Sequence, residues 1–391
     1  MPEHSRPCLL FYCQHSLGIG HLTRSFALVQ ALAPHFRVVF LNGGRLPDGV
    51  RVPPGMERID LPPLGMDDGH TVVSRDGRQD IQAVWNQRKA MIDAAVEQHR
   101  PAVLLIELFP FGRKKFAGEI LPMIRAARRR SAMVACSLRD ILVSARPDQQ
   151  VHDDRARWLT DRYFDLVLVH TDAAFTRLED SFRPRQPMGT PVRYTGFVVP
   201  HRAQGELPPR GDHLLVSAGG GIVGEPLFRA TLEAHALMED APPLRIIAGP
   251  FLPEAHWDAL QQVAGGRAGV TLVRHVPDMV DELRRARASI SQCGYNTALD
   301  LVMSGTPALV VPYSTRTENE QADRAERLAR LGVVQNHGTE ALTPELMRAS
   351  IQRLLAFEPA PAGLQLQGAA RSAEALLAQL AEHLHRLKEA A

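Results

Sequence analysis

The chain has 391 residues, 45% of them apolar and 23% charged, a composition that supports more than one buried core and excludes a disordered protein. Lys and Arg number 45 against 43 Asp and Glu, so no global charge points to nucleic acid as a partner. Only residues 8–13 are apolar near the start, too few for a signal core or a membrane span, and the four cysteines (Cys8, Cys13, Cys136, Cys293) lack metal-ligand spacing.

A reduced, cytoplasmic α/β protein is therefore expected. Residues 9–13 read as a buried strand and residues 22–32 as an amphipathic helix. The turn between them holds Gly18, Gly20, His21 and Arg24, and its glycines let backbone approach a phosphate or sugar closely. Thr23 stands where a dinucleotide fingerprint has its third glycine, and the strand at 37–41 ends in Asn42, Gly43 and Gly44 without an acidic ribose ligand. A nicotinamide enzyme is disfavoured. His21, at the helix start, is a candidate general base or a donor to a substrate oxygen, the alternative being a cap on its own loop.

Residues 65–80, rich in Gly, Asp and Arg, predict a mobile loop of the substrate-binding kind. After a helix at 81–98, the apolar strand 102–106 delivers Glu107 to its C-terminal end, the edge where open α/β sheets bind ligands. Glu107 is a second candidate base, or an ion-pair partner of Arg113 or Lys114. The strand 133–137 brings Arg139 and Asp140 to the same rim. Arg125, Arg128, Arg129 and Arg130 lie on a predicted helix, either as a solvated face or as a contact for an anionic membrane or a phosphorylated acceptor. Residues 165–170 form a further strand.

Glycine and proline then concentrate, placing a linker at 198–211 between an N-terminal domain (1–197) and a C-terminal domain (212–391). The strand, glycine loop and helix theme restarts with strand 214–217, the loop from Gly219, Gly220 and Gly221 to Gly224, and Pro226 at the next helix start. The spacing matches G-x-G-x-x-G, but strand 244–248 ends in Gly249 and Pro250, so the loop reads as a backbone cradle for a phosphate. No P-loop is present. His275 and Val276 leave the strand 270–273 with backbone suited to a nucleobase edge, and Asp278 caps the helix after them or serves the ligand.

The stretch 291–312 is strand end, turn at Gly294, short helix and a second apolar strand. The helix N-terminus favours an anion, and Thr297 and Asp300 share one face, where a carboxylate suits ribose hydroxyls. Glu320 and Gln321, entering a helix that runs to 331, offer groups suited to sugar hydroxyls. A final amphipathic helix spans 369–388 and is free to pack back on the N-terminal domain.

The stretch 291–312, Glu320 with Gln321, and the loop from Gly18 to His21 together resemble the two-domain GT-B glycosyltransferases. The likeness is greatest to family 28, which contains the lipid-linked N-acetylglucosaminyltransferase of peptidoglycan synthesis. The resemblance implies a GT-B fold, two Rossmann-like doubly wound domains facing a central cleft. It implies a C-terminal domain that binds a nucleotide-sugar donor, with Gly219, Gly220, Gly221, Gly294 and Thr297 at the diphosphate. His275 and Val276 would then meet the base, Asp300 the ribose, and Glu320 with Gln321 the donor sugar. Gly18, Gly20 and His21 would lie at the cleft beside the transferring carbon. Arg24, in the same loop, and Arg139 with Asp140 are acceptor-side candidates by their position on the rim and not by the resemblance. Two positions depart from the family pattern: Asp300 stands where a Glu is usual, and Glu320 with Gln321 where the related transferase has two amides. The segments 109–112 and 137–140 do not match its acceptor loops.

The expected function is inverting, metal-independent sugar transfer from a nucleotide-sugar, a UDP-sugar first, to a hydroxyl acceptor. His21 or Glu107 would be the base. No cofactor or metal is expected, because the sequence has no Asp-x-Asp pair and helix dipoles can stabilise the departing diphosphate. Closure at the linker would exclude water. The alternatives are a nucleotide-sugar hydrolase, a non-hydrolysing epimerase, or a non-catalytic nucleotide-sugar-binding subunit.

Overall fold

The computed structural model describes residues 6–15, 20–46, 50, 52–67, 71–77, 80–200, 209–338 and 341–389. The chain divides into two compact units: unit 1 is Met1–Leu142, Asp148–His201 and Leu364–Ala391, and unit 2 is Val143–Pro147 and Arg202–Gly363.

Unit 1 runs β1 (Cys8–Cys13), α1 (Gly20–Leu32), β2 (Arg37–Asn42), β3 (Met56–Asp60), β4 (Leu64–Met66), β5 (Val72–Ser74), α2 (Ile81–His99), β6 (Val103–Glu107), α3 (Ala117–Arg128), β7 (Met133–Arg139), α4 (Gln149–Tyr163), β8 (Leu166–His170), α5 (Leu178–Ser181) and β9 (Val192–Tyr194). Its main sheet has the order β3-β2-β1-β6-β7-β8-β9, with every pairing parallel. The strands β1, β6 and β8 are buried at every residue. Such unbroken apolar runs suit parallel strands covered by helices on both faces. Local chemistry sets the helix ends: Asp80 opens α2 by accepting from the Ala83 N–H at 3.0 Å, and Arg100 closes it with φ 42°.

Unit 2 runs β10 (Leu214–Ser217), α6 (Glu225–Ala236), β11 (Leu244–Ile247), α7 (Glu254–Ala264), β12 (Val270–Val273), α8 (Met279–Arg285), β13 (Ala288–Ser291), α9 (Tyr295–Ser304), β14 (Ala308–Val310), α10 (Glu320–Arg330), β15 (Gln335–Asn336) and α11 (Pro344–Leu355). Its sheet order is β12-β11-β10-β13-β14-β15, again parallel throughout. The last helix, α12 (Gly368–Glu389), returns to unit 1. It packs on α1 and buries Ala373, Leu376 and Leu380 in one core with Phe26, Leu28 and Phe36.

Both sheets run outward from their first strand, turn back, and continue on its other side. The reversal falls between β1 and β6 in unit 1 and between β10 and β13 in unit 2. Open parallel sheets bind ligands at the carboxyl ends of the strands that flank such a switch.

Three expectations need correction or placement. The segment 65–80, expected to be a mobile loop, instead takes part in an antiparallel hairpin in which Leu64–Met66 pairs with Val72–Ser74 and Leu64 is buried. The surrounding Gly, Asp and Arg residues masked that short β-forming pair. Residues 143–147 group with unit 2 rather than with the N-terminal domain, because Asn319 holds Ser144 through both its N–H (3.3 Å) and its hydroxyl (3.0 Å). Most of the expected linker lies outside the described residues, as do Gly18 and its neighbours at 16–19.

Candidate functional site

In unit 1 the switch point joins the loop after β1 to the end of β6. Parallel pairing of β1 with β6 sets Tyr12 opposite Ile106, so Glu107 ends its strand beside the β1 exit. His21 lies in the first turn of α1, which begins at Gly20. Its Nδ1 is 2.7 Å from Glu107 Oε1, and the same oxygen accepts from Arg24 Nη2 at 2.5 Å. Glu107 is fully buried and Arg24 nearly so, while His21 retains 16% side-chain exposure. Arg113 Nε stands 3.9 Å from Glu107 Oε2.

These distances fix the protonation. Burial alone would raise the Glu107 pKa, but His21, Arg24 and Arg113 outweigh it and hold the carboxyl below its ordinary range. Burial pushes His21 down, opposed by Glu107 and aided by Arg113 and Arg24, so the imidazole is neutral. Beside a carboxylate at 2.7 Å the Nδ1 atom carries the proton and donates it, since a lone pair there would face a negative oxygen. Arg24 Nη2, 3.3 Å from that nitrogen, then spends its proton on Glu107. The Nε2 atom is left with its lone pair, the requirement for a general base.

Around this dyad unit 1 is rigidly braced. Arg88, fully buried, binds both oxygens of Glu119 (3.0 and 2.6 Å), Gln14 Oε1 (2.7 Å) and the carbonyls of Gly43 and Pro62. Tyr12 donates to Glu119 at 2.5 Å, and His15 bonds Asn42 at 3.0 Å. The exits of β1 and β2 are thereby held together. His170, fully buried, links Ser137 (2.8 Å) to Thr195 (3.0 Å). Arg139 and Asp140 stand further along the rim, where Arg139 Nε donates to the Ile141 carbonyl at 3.2 Å and Asp140 is fully buried. In the arginine run, Arg125 and Arg128 engage Tyr163 and Asp165, and Arg130 engages Glu97.

In unit 2 the switch lies between the Gly219–Gly221 loop after β10 and the turn before α9. Gly221, with φ 92°, passes so close to β11's exit that a Cβ there would sit 2.2 Å from the Ala248 carbonyl oxygen. A Cβ on Gly219 would come within 3.6 Å of Thr297 Oγ1, so the glycine loop adjoins the first turn of α9. Gly294 is the N-cap of α9, and a Cβ there would meet nothing within 4 Å. A helix N-terminus beside a glycine loop favours an anion electrostatically. Asp300 lies one turn inside this helix.

The remaining residues divide. Val276 is buried and His275 exposed beyond β12, the edge strand of this sheet, while Asp278 caps α8 by accepting from Asp281 N–H at 3.1 Å. Glu320 opens α10. Gln321 Oε1 accepts from two backbone N–H groups, Cys293 at 3.1 Å and Tyr313 at 3.2 Å. Sequence reasoning passed over Gln292, whose amide ties the turn to the glycine loop through the Val223 carbonyl at 3.0 Å, and Arg324, which donates to the Cys293 carbonyl at 2.7 Å. An Arg mid-helix at a buried position was the available signal for the latter.

Residues 246–382 match the glycosyltransferase family 28 C-terminal domain. Solved structures align over almost the whole chain. The calicheamicin glycosyltransferase CalG4 matches with a TM-score of 0.58 at 19% identity, covering 98% of each chain. The Acinetobacter baumannii MurG matches with a TM-score of 0.59 at 16% identity, covering 95% of this chain and 100% of that one. The chain has the GT-B fold and resembles the family 28 glycosyltransferases.

Curated sequences show a likeness over part of the chain as well. The UDP-N-acetylglucosamine--N-acetylmuramyl-(pentapeptide) pyrophosphoryl-undecaprenol N-acetylglucosamine transferase of Trichormus variabilis is 26% identical over 174 residues, 44% of this chain and 47% of that protein. The Mesorhizobium japonicum transferase of the same name is 30% identical over 141 residues, 35% of this chain and 37% of that one. The chain spans about half the length of the curated relatives it matches. Among the described residues no helix is long and apolar enough to cross a membrane.

Proposed function

We propose that this GT-B chain is an inverting glycosyltransferase that moves a sugar from a nucleotide-sugar donor, a UDP-sugar first, to a hydroxyl acceptor without a metal ion. The observation that carries the proposal is the His21–Glu107 pair at 2.7 Å, set at the switch point of a parallel sheet with Nε2 unprotonated. The family 28 match over residues 246–382 supports reading unit 2 as the donor half.

The chemistry follows from the residues. The acceptor hydroxyl gives its proton to His21 Nε2 as its oxygen attacks the anomeric carbon. The bond from that carbon to the diphosphate breaks, and the electron pair stays on the diphosphate oxygen. Glu107 stabilises the imidazolium formed at His21, as a carboxylate behind a catalytic histidine does. In unit 2 the N–H groups of the Gly219–Gly221 loop and of α9's first turn receive the growing negative charge. Attack opposite the leaving group inverts the carbon. Asp300 takes the ribose hydroxyls.

The test is calorimetric titration with UDP, GDP, dTDP and UDP-N-acetylglucosamine in EDTA, followed by turnover with an acceptor panel. The wild type binds one nucleotide, Asp300→Ala weakens that binding about tenfold or more, and His21→Ala keeps the binding while losing turnover. Absence of nucleotide binding, or full turnover in His21→Ala, sinks the proposal. Release of free sugar without acceptor would instead identify a hydrolase. Membrane contact is a separate expectation, read by flotation with anionic vesicles at low salt.

A further inference from the structure

We propose that Arg113 is an acceptor-binding residue of the unit 1 site and that it holds an oxyanion, a carboxylate or a phosphate, carried by the acceptor. The inference rests on the reading of unit 1 as the acceptor half and deepens it by naming the acceptor's charge. The Arg113 side chain keeps 15% exposure beside the His21–Glu107 pair. Its Nε and Nη2 atoms are buried, and neither has a hydrogen-bond partner among the described residues. Glu107 Oε2, buried and equally unpartnered there, stands 3.9 Å from Nε, close enough to attract but too far for a hydrogen bond. Nε and Nη2 form one edge of the guanidinium, the fork that receives two oxygens of a carboxylate or phosphate. Glu107 is a poor match for that fork, because its Oε1 already serves His21 and Arg24.

The charges point the same way. Around Glu107 two guanidinium groups, Arg24 and Arg113, face one carboxylate and a neutral imidazole, which leaves one positive charge in excess. Lys114 and Lys115, both exposed, follow directly, and the next carboxylate along the chain, Glu119, is bound by Arg88 and Tyr12. Buried cations and buried donors cost stability until acceptors reach them. The backbone carries the arginine to this place under strain. Leu108 (φ 66°) and Arg113 (φ 57°) both adopt the left-handed region that disfavours a side chain, and the Gly112 N–H closes the turn on the Leu108 carbonyl at 2.9 Å. The turn thereby folds back over the end of β6, and Arg113 returns to the carboxylate six residues before it. Strain of this kind collects at ligand clamps.

An arginine that only tuned Glu107 would affect every acceptor alike, whereas one that grips an oxyanion affects acidic acceptors alone. The variant is Arg113→Gly, which suits the left-handed φ and removes the guanidinium, with Arg113→Lys as the partner that keeps the charge and loses the fork. Methyl phosphate is titrated into the full-length wild type and both variants while the arginine Nε–H signals are followed by NMR. One signal, absent from both variants, should shift saturably in the wild type. Turnover is then compared for uronic acids and sugar phosphates beside their uncharged parent sugars. In Arg113→Gly the kcat/KM ratio of charged to uncharged acceptor should fall about tenfold or more, with UDP affinity unchanged. No saturable shift at that signal, or an equal loss for both members of each acceptor pair, overturns the inference. Weakened UDP binding in Arg113→Gly overturns it too, by placing the oxyanion on the donor. The methyl phosphate titration needs no nucleotide, so a failure of the transferase reading and a failure of this inference are read separately.

Discussion

The proposed base and its carboxylate depend on charges that a sequence does not display. His21 and Glu107 were each legible, one as a polar residue at a helix start and the other at a strand end. Their pairing was not, because 86 residues separate them and only the crossover that sets β6 beside β1 brings them to 2.7 Å. Arg24 was legible as a neighbour of the loop but not as a buried partner of Glu107. Removing the carboxylate's charge should lower kcat by roughly 10²–10⁴ in Glu107→Gln, with nucleotide Kd within about twofold of wild type. Steady-state kinetics beside calorimetry decide this, and a large change in Kd with intact kcat would contradict it. The pH profile adds a signed test. Arg24 helps keep His21 neutral and Glu107 ionised, so its loss makes both easier to protonate. In Arg24→Gln the acid limb of kcat/KM therefore moves to higher pH.

The two sides of the proposed anion site in unit 2 are built on opposite terms. The glycine loop is tight: Gly221 has a left-handed φ and backbone within 2.2 Å of any Cβ. Gly294 has ordinary φ of −62° and open space before it. Gly221→Ala should thus cost about 3 kcal/mol or more of unit 2 stability, and Gly294→Ala only about 1 kcal/mol, the difference between glycine and alanine at an N-cap. Both should weaken nucleotide binding, Gly294→Ala by crowding the space a phosphate needs. Urea unfolding and titration together check the pair, and equal stability losses would refute the contrast. At this scale the sequence was most informative, since strand, glycine loop and helix recur with the apolar runs that parallel strands need. It failed where pattern is short or polar. The hairpin of β4 and β5 hides among Gly and Asp, and β3 presents only half-buried and exposed residues.

The whole chain carries a pH liability concentrated in one unit. Burial pushes the His21 and His170 pKa values down to about 3, and lowers that of His15 as well. A histidine kept neutral in the fold but free to protonate when unfolded, near pH 6.5, contributes stability that is complete above that value and is lost as pH falls towards the folded pKa. At pH 5 the loss is about 2 kcal/mol for each of His21 and His170. Calorimetry from pH 7 to pH 5 should show the unit 1 transition falling ahead of that of unit 2, and a reversed order would contradict it. The division into two sheets was legible from the restart of the strand and glycine loop pattern. That residues 143–147 belong with unit 2 was not, because the Ser144–Asn319 bonds join positions far apart in the chain.

The return of α12 to α1 has a consequence for synthesis. Leu376 and Leu380 complete the core that Phe26, Leu28 and Phe36 begin, yet all of unit 2 is translated between them. Unit 2 can reach its native state on the ribosome while unit 1 still displays an uncovered apolar face along α1. A ribosome stalled after unit 2, or a gene cut at residue 363, would leave that face without its lid and the product prone to aggregate or to be held by chaperones.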